Sequence, residues 1–332
     1  MNMVTIKDVA QRAGVSPSTV SRALSGKIPV DKETKEKVME AVRALNYQPN
    51  VLAKGLKEGR TNTIGLIIPN IRNPVFPAVA RGVEDVARRN GFTVILCNTD
   101  EDLRVELDYV DKLQKRWVDG LIFATAQKDS HHILELKEKD FPVVLLVRHM
   151  EDKVDAVISN NFKGAYEAVS YLIKTGHKKI AIVNGSLGLT LYRERFEGYK
   201  KALQDAGLPV IDEFIIDGVS DNGNGYYSML GLLEQGSVPD AVFATSDPKA
   251  IGIIRAIKDY GLRVPEDVSV IGFDNLEISA LLDPPLTTVA QPLYEMGANA
   301  ANKLIRLINS KRAKKPTVDV MEVELIIRKS TR

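Results

Sequence analysis

GVSPSTVSRALSG, residues Gly14–Gly26 of a 332-residue chain, sets four serines, a threonine and an arginine around a few small apolar residues. Ser16 is an N-cap residue, whose side-chain oxygen takes one of the unsatisfied N–H groups of a helix start. Pro17 follows at the first helical position, where its missing N–H does no harm. Val20, Ala23 and Leu24 then share one side of the helix. Upstream, Ile6, Val9, Ala10 and Ala13 recur at helical spacing. Thr5 with Asp8 three residues on forms a capping-box start, and Gly14 tolerates the left-handed conformation that ends a helix. A third helix starts near Asp31 and aligns Val38, Ala41, Val42 and Leu45. Two helices joined by a three-residue turn containing glycine predict a helix-turn-helix. Its polar face holds Ser16, Ser18, Thr19, Ser21 and Arg22, short donors and acceptors suited to phosphates and base edges. Arg22 is the side chain fitted to bidentate contact with a guanine. A small helical bundle with a serine-rich solvent face is compatible with the same spacing.

The whole chain carries 45 Lys/Arg against 43 Asp/Glu, and 44% of its residues are apolar. That is ordinary globular composition, at a length that suits two or three domains. The charge is uneven: residues 1–60 hold 11 Lys/Arg and 6 Asp/Glu, leaving 34 and 37 for the rest. A basic head on a mildly acidic body suits a polyanion partner. No apolar run reaches the ~18 to 20 residues of a membrane span, so no membrane partner is expected. The opening MNMVTIKDVAQRAG lacks the apolar core of a secretory signal, and a single cysteine, Cys97, fits a reducing compartment. A cytoplasmic location follows as the expectation.

VTIKDVAQRAGVSPSTVSRALSG, followed by VDKETKEKVMEAVRALNYQPNVLAKGLK, resembles the headpiece of the lactose-repressor/galactose-repressor family of bacterial transcription regulators, over about sixty residues without a gap. The resemblance implies a DNA-binding headpiece over residues 1–48. In it Pro17, Ser18 and Arg22 read the major groove, while Thr5, Ser16, Thr19, Tyr47 and Asn50 hold phosphates. Pro17 offers only apolar contact, so direct readout falls on Ser18 and Arg22. By composition, residues 49–60 are a plain linker, in which Val51, Leu52, Ala53 and Leu56 could form about one and a half turns of helix. The resemblance makes it a hinge helix whose Leu56 wedges between base steps of the minor groove.

From Thr63 onward, strand candidates alternate with helices: TIGLIIP, FTVILCN, DGLIFAT, PVVLLV, then KIAIVNG, EFIID, AVFATS and VSVIGFD. This reads as a parallel, doubly wound α/β body. The run appears twice, which predicts two similar subdomains. The family resemblance continues through RGVED, LIKTGHKKIAIVNG, RFEGYKKAL and AIKDYGLRVPEDVSVIGFDN. It implies a periplasmic-binding-protein-like body over 61–332 with three crossovers: one subdomain from 61–161 and 292–321, the other from 162–290 and 322–332.

Ligands of open α/β sheets sit beyond the carboxyl ends of the strands. Asn73 and Phe76 follow the first strand, and Phe76 either stacks on a ligand ring or packs in the core. Arg195 and Asp274 match effector positions of the family, and such a pair suits a vicinal diol. Asp247 reads as a helix cap, with Ser246 beside it as a ligand contact, and the acidic run Asp100–Asp102 reads as a helix start. Where many sugar-binding relatives carry an acidic residue after VVLL, this chain has Val147 and then Arg148. An Arg148 in the cleft favours an anion; one facing solvent does not.

No catalytic constellation, metal cluster or cofactor motif emerges; DNGNGYY lacks the third glycine of a dinucleotide loop. The expected function is a ligand-responsive regulator, a repressor, that binds a pseudo-palindromic double-stranded operator as a homodimer. Its small-molecule effector is a sugar, sugar acid or sugar phosphate. A transport-associated solute-binding protein would share the body but have no use for the headpiece. The catabolite-control branch uses a phosphorylated carrier protein as corepressor, but an arginine expected for it is Lys303 here. Tetramers in the family add a C-terminal leucine-heptad helix, and IIRKSTR shows none, so a dimer is expected. Leu56→Ala should weaken operator binding far more than it changes thermal stability. Equal operator affinity for the two proteins, measured by anisotropy, would remove the wedge.

Overall fold

The computed structural model describes residues 4–25, 29–47, 60–115, 118–127, 130–151, 153–221, 224–310 and 315–332. Asn50 and Leu56, with the rest of the expected hinge, lie outside the described residues. The chain divides into two compact units, residues 1–61 and 62–332.

In the first unit, helices α1 (Ile6–Ala13), α2 (Pro17–Ser25) and α3 (Lys32–Ala44) enclose Val9, Val20 and Val38, with Ala10, Ala23 and Ala41 between them. Local signals place all three helices. The Asp8 carboxylate accepts from both the N–H and the hydroxyl of Thr5 at 2.7 Å, and Gly14 takes φ 68° to end α1. Ser16 Oγ accepts from Thr19 N–H at 3.2 Å. Asp31 accepts from Thr34 N–H at 2.9 Å and opens α3.

The second unit holds two six-stranded sheets. One runs β11 (Val318–Met321), β5 (Ala156–Ser159), β4 (Val143–Leu146), β3 (Gly120–Phe123), β1 (Thr63–Ile68), β2 (Thr93–Asn98), all parallel. The other runs β12 (Glu324–Ile326), β10 (Thr287–Ala290), β9 (Ser269–Asp274), β8 (Ala241–Ala244), β6 (Ile180–Val183), β7 (Ile215–Ile216). Only β12 is antiparallel there.

Both sheets are covered on both faces, which is why their strands read as continuous apolar runs. In β1, Ile64, Leu66 and Ile68 face helices α4 (Val75–Arg89) and α11 (Leu293–Asn309), whereas Ile67 faces α5 (Leu103–Lys115) and α6 (His131–Glu138). Helices α7 (Asn161–Lys174) and α8 (Thr190–Asp205) cover one face of the second sheet; α9 (Asn224–Glu234) and α10 (Asp247–Asp259) cover the other. The eight apolar runs do not include β5 (AVIS) or β10 (TTVA), whose serine and paired threonines interrupt the apolar pattern and mask their burial.

The chain leaves the first sheet after Ser159, returns after Ala290, and leaves again after Met321. These crossovers are bonded together. Asn160 N–H donates to Met321 O at 2.9 Å, and Ser159 Oγ donates to Gln291 Oε1 at 2.6 Å.

Helices α4 and α11 approach unusually closely because each carries a glycine at the crossing. A Cβ on Gly82 would lie 2.0 Å from Tyr294 O, and one on Gly297 would lie 1.9 Å from Val79 O. Backbone cannot yield there as a flexible side chain would. Gly82→Ala should therefore lower the unfolding free energy by at least ~1 to 3 kcal/mol. An unchanged urea midpoint would refute so close a crossing.

Candidate effector cleft and DNA-reading helix

Six residues singled out in the sequence, Asn73, Phe76, Arg148, Arg195, Ser246 and Asp274, line one cavity of about 650 Å³. It lies beyond the carboxyl ends of strands from both sheets. Asn73 and Phe76 follow β1, Arg148 follows β4, Ser246 follows β8, and Asp274 ends β9. Phe76 is only 6% exposed, so it serves as core and cavity wall together.

Arg195 is buried, with its guanidinium 3.6 Å above the Phe273 ring. Its Nε donates to Asn161 Oδ1 at 3.0 Å, and its Nη1 donates to Thr245 O at 2.5 Å. Asp274 is buried and accepts from Gln291 Nε2 at 2.6 Å. Burial, then the nearby Asp247 carboxylate, push the Asp274 carboxyl well above its ordinary range despite Arg195. The residue is therefore held toward its neutral form, unlike the ionised partner that a simple Arg–Asp clamp requires.

Arg148 does reach the cavity, but its charge is already met. Nη2 donates to Glu101 Oε1 at 2.5 Å, Nη1 donates to Glu101 Oε2 at 3.1 Å, and Nη1 also reaches Thr125 O. Glu101 thus departs from the expected helix start. It and Asp100 take φ of 63° and 51°, and the carboxylate turns onto Arg148. Asp247 departs likewise. Ser246 caps α10, accepting from Lys249 N–H, while the Asp247 carboxylate accepts from Ser279, Thr288 and Leu276 N–H. Val147 lines the cavity at φ 68°. A β-branched residue in that region stores roughly 1–3 kcal/mol of strain, which persists only where surrounding structure holds it.

Sequence reasoning missed a buried charge pair of the cleft. Lys249 has a fully buried side chain and is ion-paired with Asp221, which lines the cavity. Burial opposes the Asp221 charge, yet the Lys249 ammonium and the Ser246 hydroxyl outweigh it and hold the carboxyl below its ordinary range. Asp221 also accepts from Asn73 Nδ2 at 3.0 Å, a bond from one lobe to the other. A signal existed: a lysine in the first turn of α10 opposes the helix dipole, so it needed a partner.

On the headpiece, Thr5, Ser16, Pro17, Ser18 and Arg22 are exposed, and Thr19 and Tyr47 are half-buried. Ser16 Oγ also bonds the Ser18 and Thr19 hydroxyls at 2.7 and 2.9 Å. Lys303 is engaged internally, with Nζ on Asp319 at 2.9 Å and on Thr317 Oγ1 at 2.7 Å.

Residues 5–50 match the family described as bacterial regulatory proteins, lacI family, and residues 61–329 match periplasmic binding proteins and sugar binding domain of LacI family. The chain belongs to the lacI family. It is 39% identical to Catabolite control protein A of Priestia megaterium, with 97% of this chain and 96% of that protein covered. It is 38% identical to the ribose operon repressor of Halalkalibacterium halodurans, with 99% and 98% covered. The solved lac repressor dimer bound to operator and the anti-inducer ONPF superposes with a TM-score of 0.90 at 29% identity, covering 99% of both chains. This lacI-family protein is a DNA-binding transcriptional regulator, not an enzyme, and a transport role is not favoured. Among the described residues no helix is long and apolar enough to cross a membrane.

The raised Asp274 carboxyl has a measurable consequence. The unfolded chain loses this proton near the ordinary value of 3.8 while the folded chain keeps it. Stability from this group therefore falls as pH rises above about 4, until the folded carboxyl ionises. The stability of Asp274→Asn relative to wild type should increase as pH rises above about 4 in paired urea titrations. A difference independent of pH would contradict the assignment.

Proposed function

We propose that this lacI-family protein is an effector-controlled repressor acting in the cytoplasm. Two headpieces of a homodimer read the two half-sites of a pseudo-palindromic operator, with Ser18 and Arg22 on base edges and Thr5, Ser16, Thr19, Tyr47 and Asn50 on phosphates. The effector binds in the inter-lobe cavity and changes the angle between lobes, and a coupling of ~1 to 3 kcal/mol is enough to alter operator occupancy strongly.

The observation that carries this reading is the 650 Å³ cavity bounded by strand ends of both lobes, in a chain that also holds a helix-turn-helix. Two of its charge pairs are met internally, which supports a neutral, hydroxyl-rich effector. Arg195, bonded to Asn161 and Thr245, is the cation an acidic or phosphorylated sugar would use. Arg148 is neutralised by Glu101, Lys249 by Asp221, and Asp274 is held toward its neutral form. Phe76 offers an apolar surface for a sugar ring.

Binding of the full-length protein to a palindromic operator library tests the reading. If each dimer neutralises roughly six to ten phosphates, log K should fall with log salt at a slope near −0.9 per phosphate. Arg22→Ala should cost about 1–3 kcal/mol and relax preference at one base pair. A flat salt response, or an Arg22→Ala loss equal on all sequences, would contradict the assigned contacts. A neutral sugar at a hundred times its Kd should add about 2.7 kcal/mol of stability; a response confined to phosphorylated or acidic sugars would reverse the effector class.

A further inference from the structure

A second, smaller cavity of about 100 Å³ adjoins the main cleft, and Glu101 and Gln127 line both. Leu103, Glu106, Thr125 and Ser130 complete its wall. Four different places in the first lobe supply these residues: the loop after β2, the first turn of α5, the residues after β3, and the residue before α6.

Its polar groups are unequally satisfied. Glu101 places both oxygens on Arg148. Ser130 Oγ accepts from Gln127 N–H at 3.0 Å. Glu106 is 5% exposed and bonds His132 Nε2 through Oε1 at 2.6 Å. Thr125 is 3% exposed, and its hydroxyl has no hydrogen-bond partner. Buried hydroxyls in folded proteins are nearly always bonded, to protein or to something held by it. Thr125 lines the small cavity, which shares the wall residues Glu101 and Gln127 with the effector cleft.

We propose that the small cavity is a subsite of that cleft and receives the terminal hydroxyl arm of a sugar or polyol effector, with Thr125 and Glu106 as its recognition pair. The volume decides between arm and ring. A cavity of ~150 Å³ is what benzene fills, so about 100 Å³ takes about four heavy atoms, an arm rather than a six-membered ring. Charge and hydrogen bonding decide the chemistry. Both carboxylates already face a basic side chain, Arg148 for Glu101 and His132 for Glu106. The unmet group is a neutral hydroxyl, which both donates and accepts. A hydroxyl arm can accept from Thr125 and donate to the Glu106 carboxylate; an ammonium can only donate. The two consecutive left-handed residues Asp100 and Glu101 set the wall shared by the two cavities, turning the Glu101 carboxylate onto Arg148. This inference rests on the cleft being the effector site.

The test uses the full-length protein and matched probes: D-ribose with 5-deoxy-D-ribose, D-glucose with 6-deoxy-D-glucose, D-galactose with 6-deoxy-D-galactose, and 6-amino-6-deoxy-D-glucose. Calorimetric Kd values are measured for wild type, Thr125→Val, Thr125→Ser, Glu106→Gln and Arg195→Ala. At least one hydroxylated sugar should bind wild type about tenfold or more tightly than its deoxy partner. Thr125→Val should bring that ratio near one without lowering the Tm of the unliganded protein, and Thr125→Ser should restore it. Glu106→Gln should reduce the ratio in part. A ratio that survives Thr125→Val while Arg195→Ala abolishes all binding overturns the subsite and leaves the cleft standing. Tighter binding of the amino sugar than of D-glucose overturns the hydroxyl assignment. Binding by no probe overturns the subsite and the neutral-sugar reading of the cleft together.

Discussion

The hydrogen-bond chain from Ser159 through Gln291 to Asp274 ties the first two crossovers to the floor of the cleft. Ser159 is where the chain leaves the first lobe, and Gln291 is where it returns. A second chain does the same for the guanidinium. Asn161, just past the first crossover, holds Arg195 Nε with its oxygen and bonds Ser159 O and Glu194 with its nitrogen. Arg195 and Asp274 are therefore each one side chain away from a segment that both lobes share. Buried bonds of this kind are costly to leave unmade. Changing the bonding of Arg195 or Asp274 therefore also changes the bonding of the crossover segments.

The cleft keeps its charges by pairing them internally. Desolvating an ion pair offsets much of its Coulomb attraction, so Lys249–Asp221 and Arg148–Glu101 are poor candidates for stabilising the fold. The strained backbone sits in the same place. Val147 at φ 68° and Asp274 at φ 132° stand on opposite lobes, both at the cavity wall. Strain of this kind clusters at functional sites because only a densely bonded surround can hold it.

Legibility in the sequence followed locality. The headpiece was readable because its caps are made within three residues: Thr5 with Asp8, Ser16 with Thr19, Asp31 with Thr34. The long β-branched runs were readable as strands because both faces of each sheet are buried. AVIS and TTVA were not, since a serine and two threonines interrupt their apolar pattern and distant strands set their pairing. In the cleft, Arg195 and Asp274 were legible by resemblance to the family. Asp221 and Lys249 are 28 residues apart and meet only because β6 and β8 place the ends of β7 and α10 beside one cavity. Glu101 looked like the start of a helix because local rules see an acidic run; its tie to Arg148 spans 47 residues.

By itself the sequence determined the three-helix headpiece and the doubly wound class of the body, because helix caps, glycine stops and strand periodicity act over a few residues. Its resemblance to a known family pointed to DNA reading. The tertiary structure decided which charges face one another, which hydroxyl is left unpartnered and how the crossovers grip the cleft. Those outcomes depend on bringing distant strand ends within hydrogen-bond distance, and no local pattern encodes that distance.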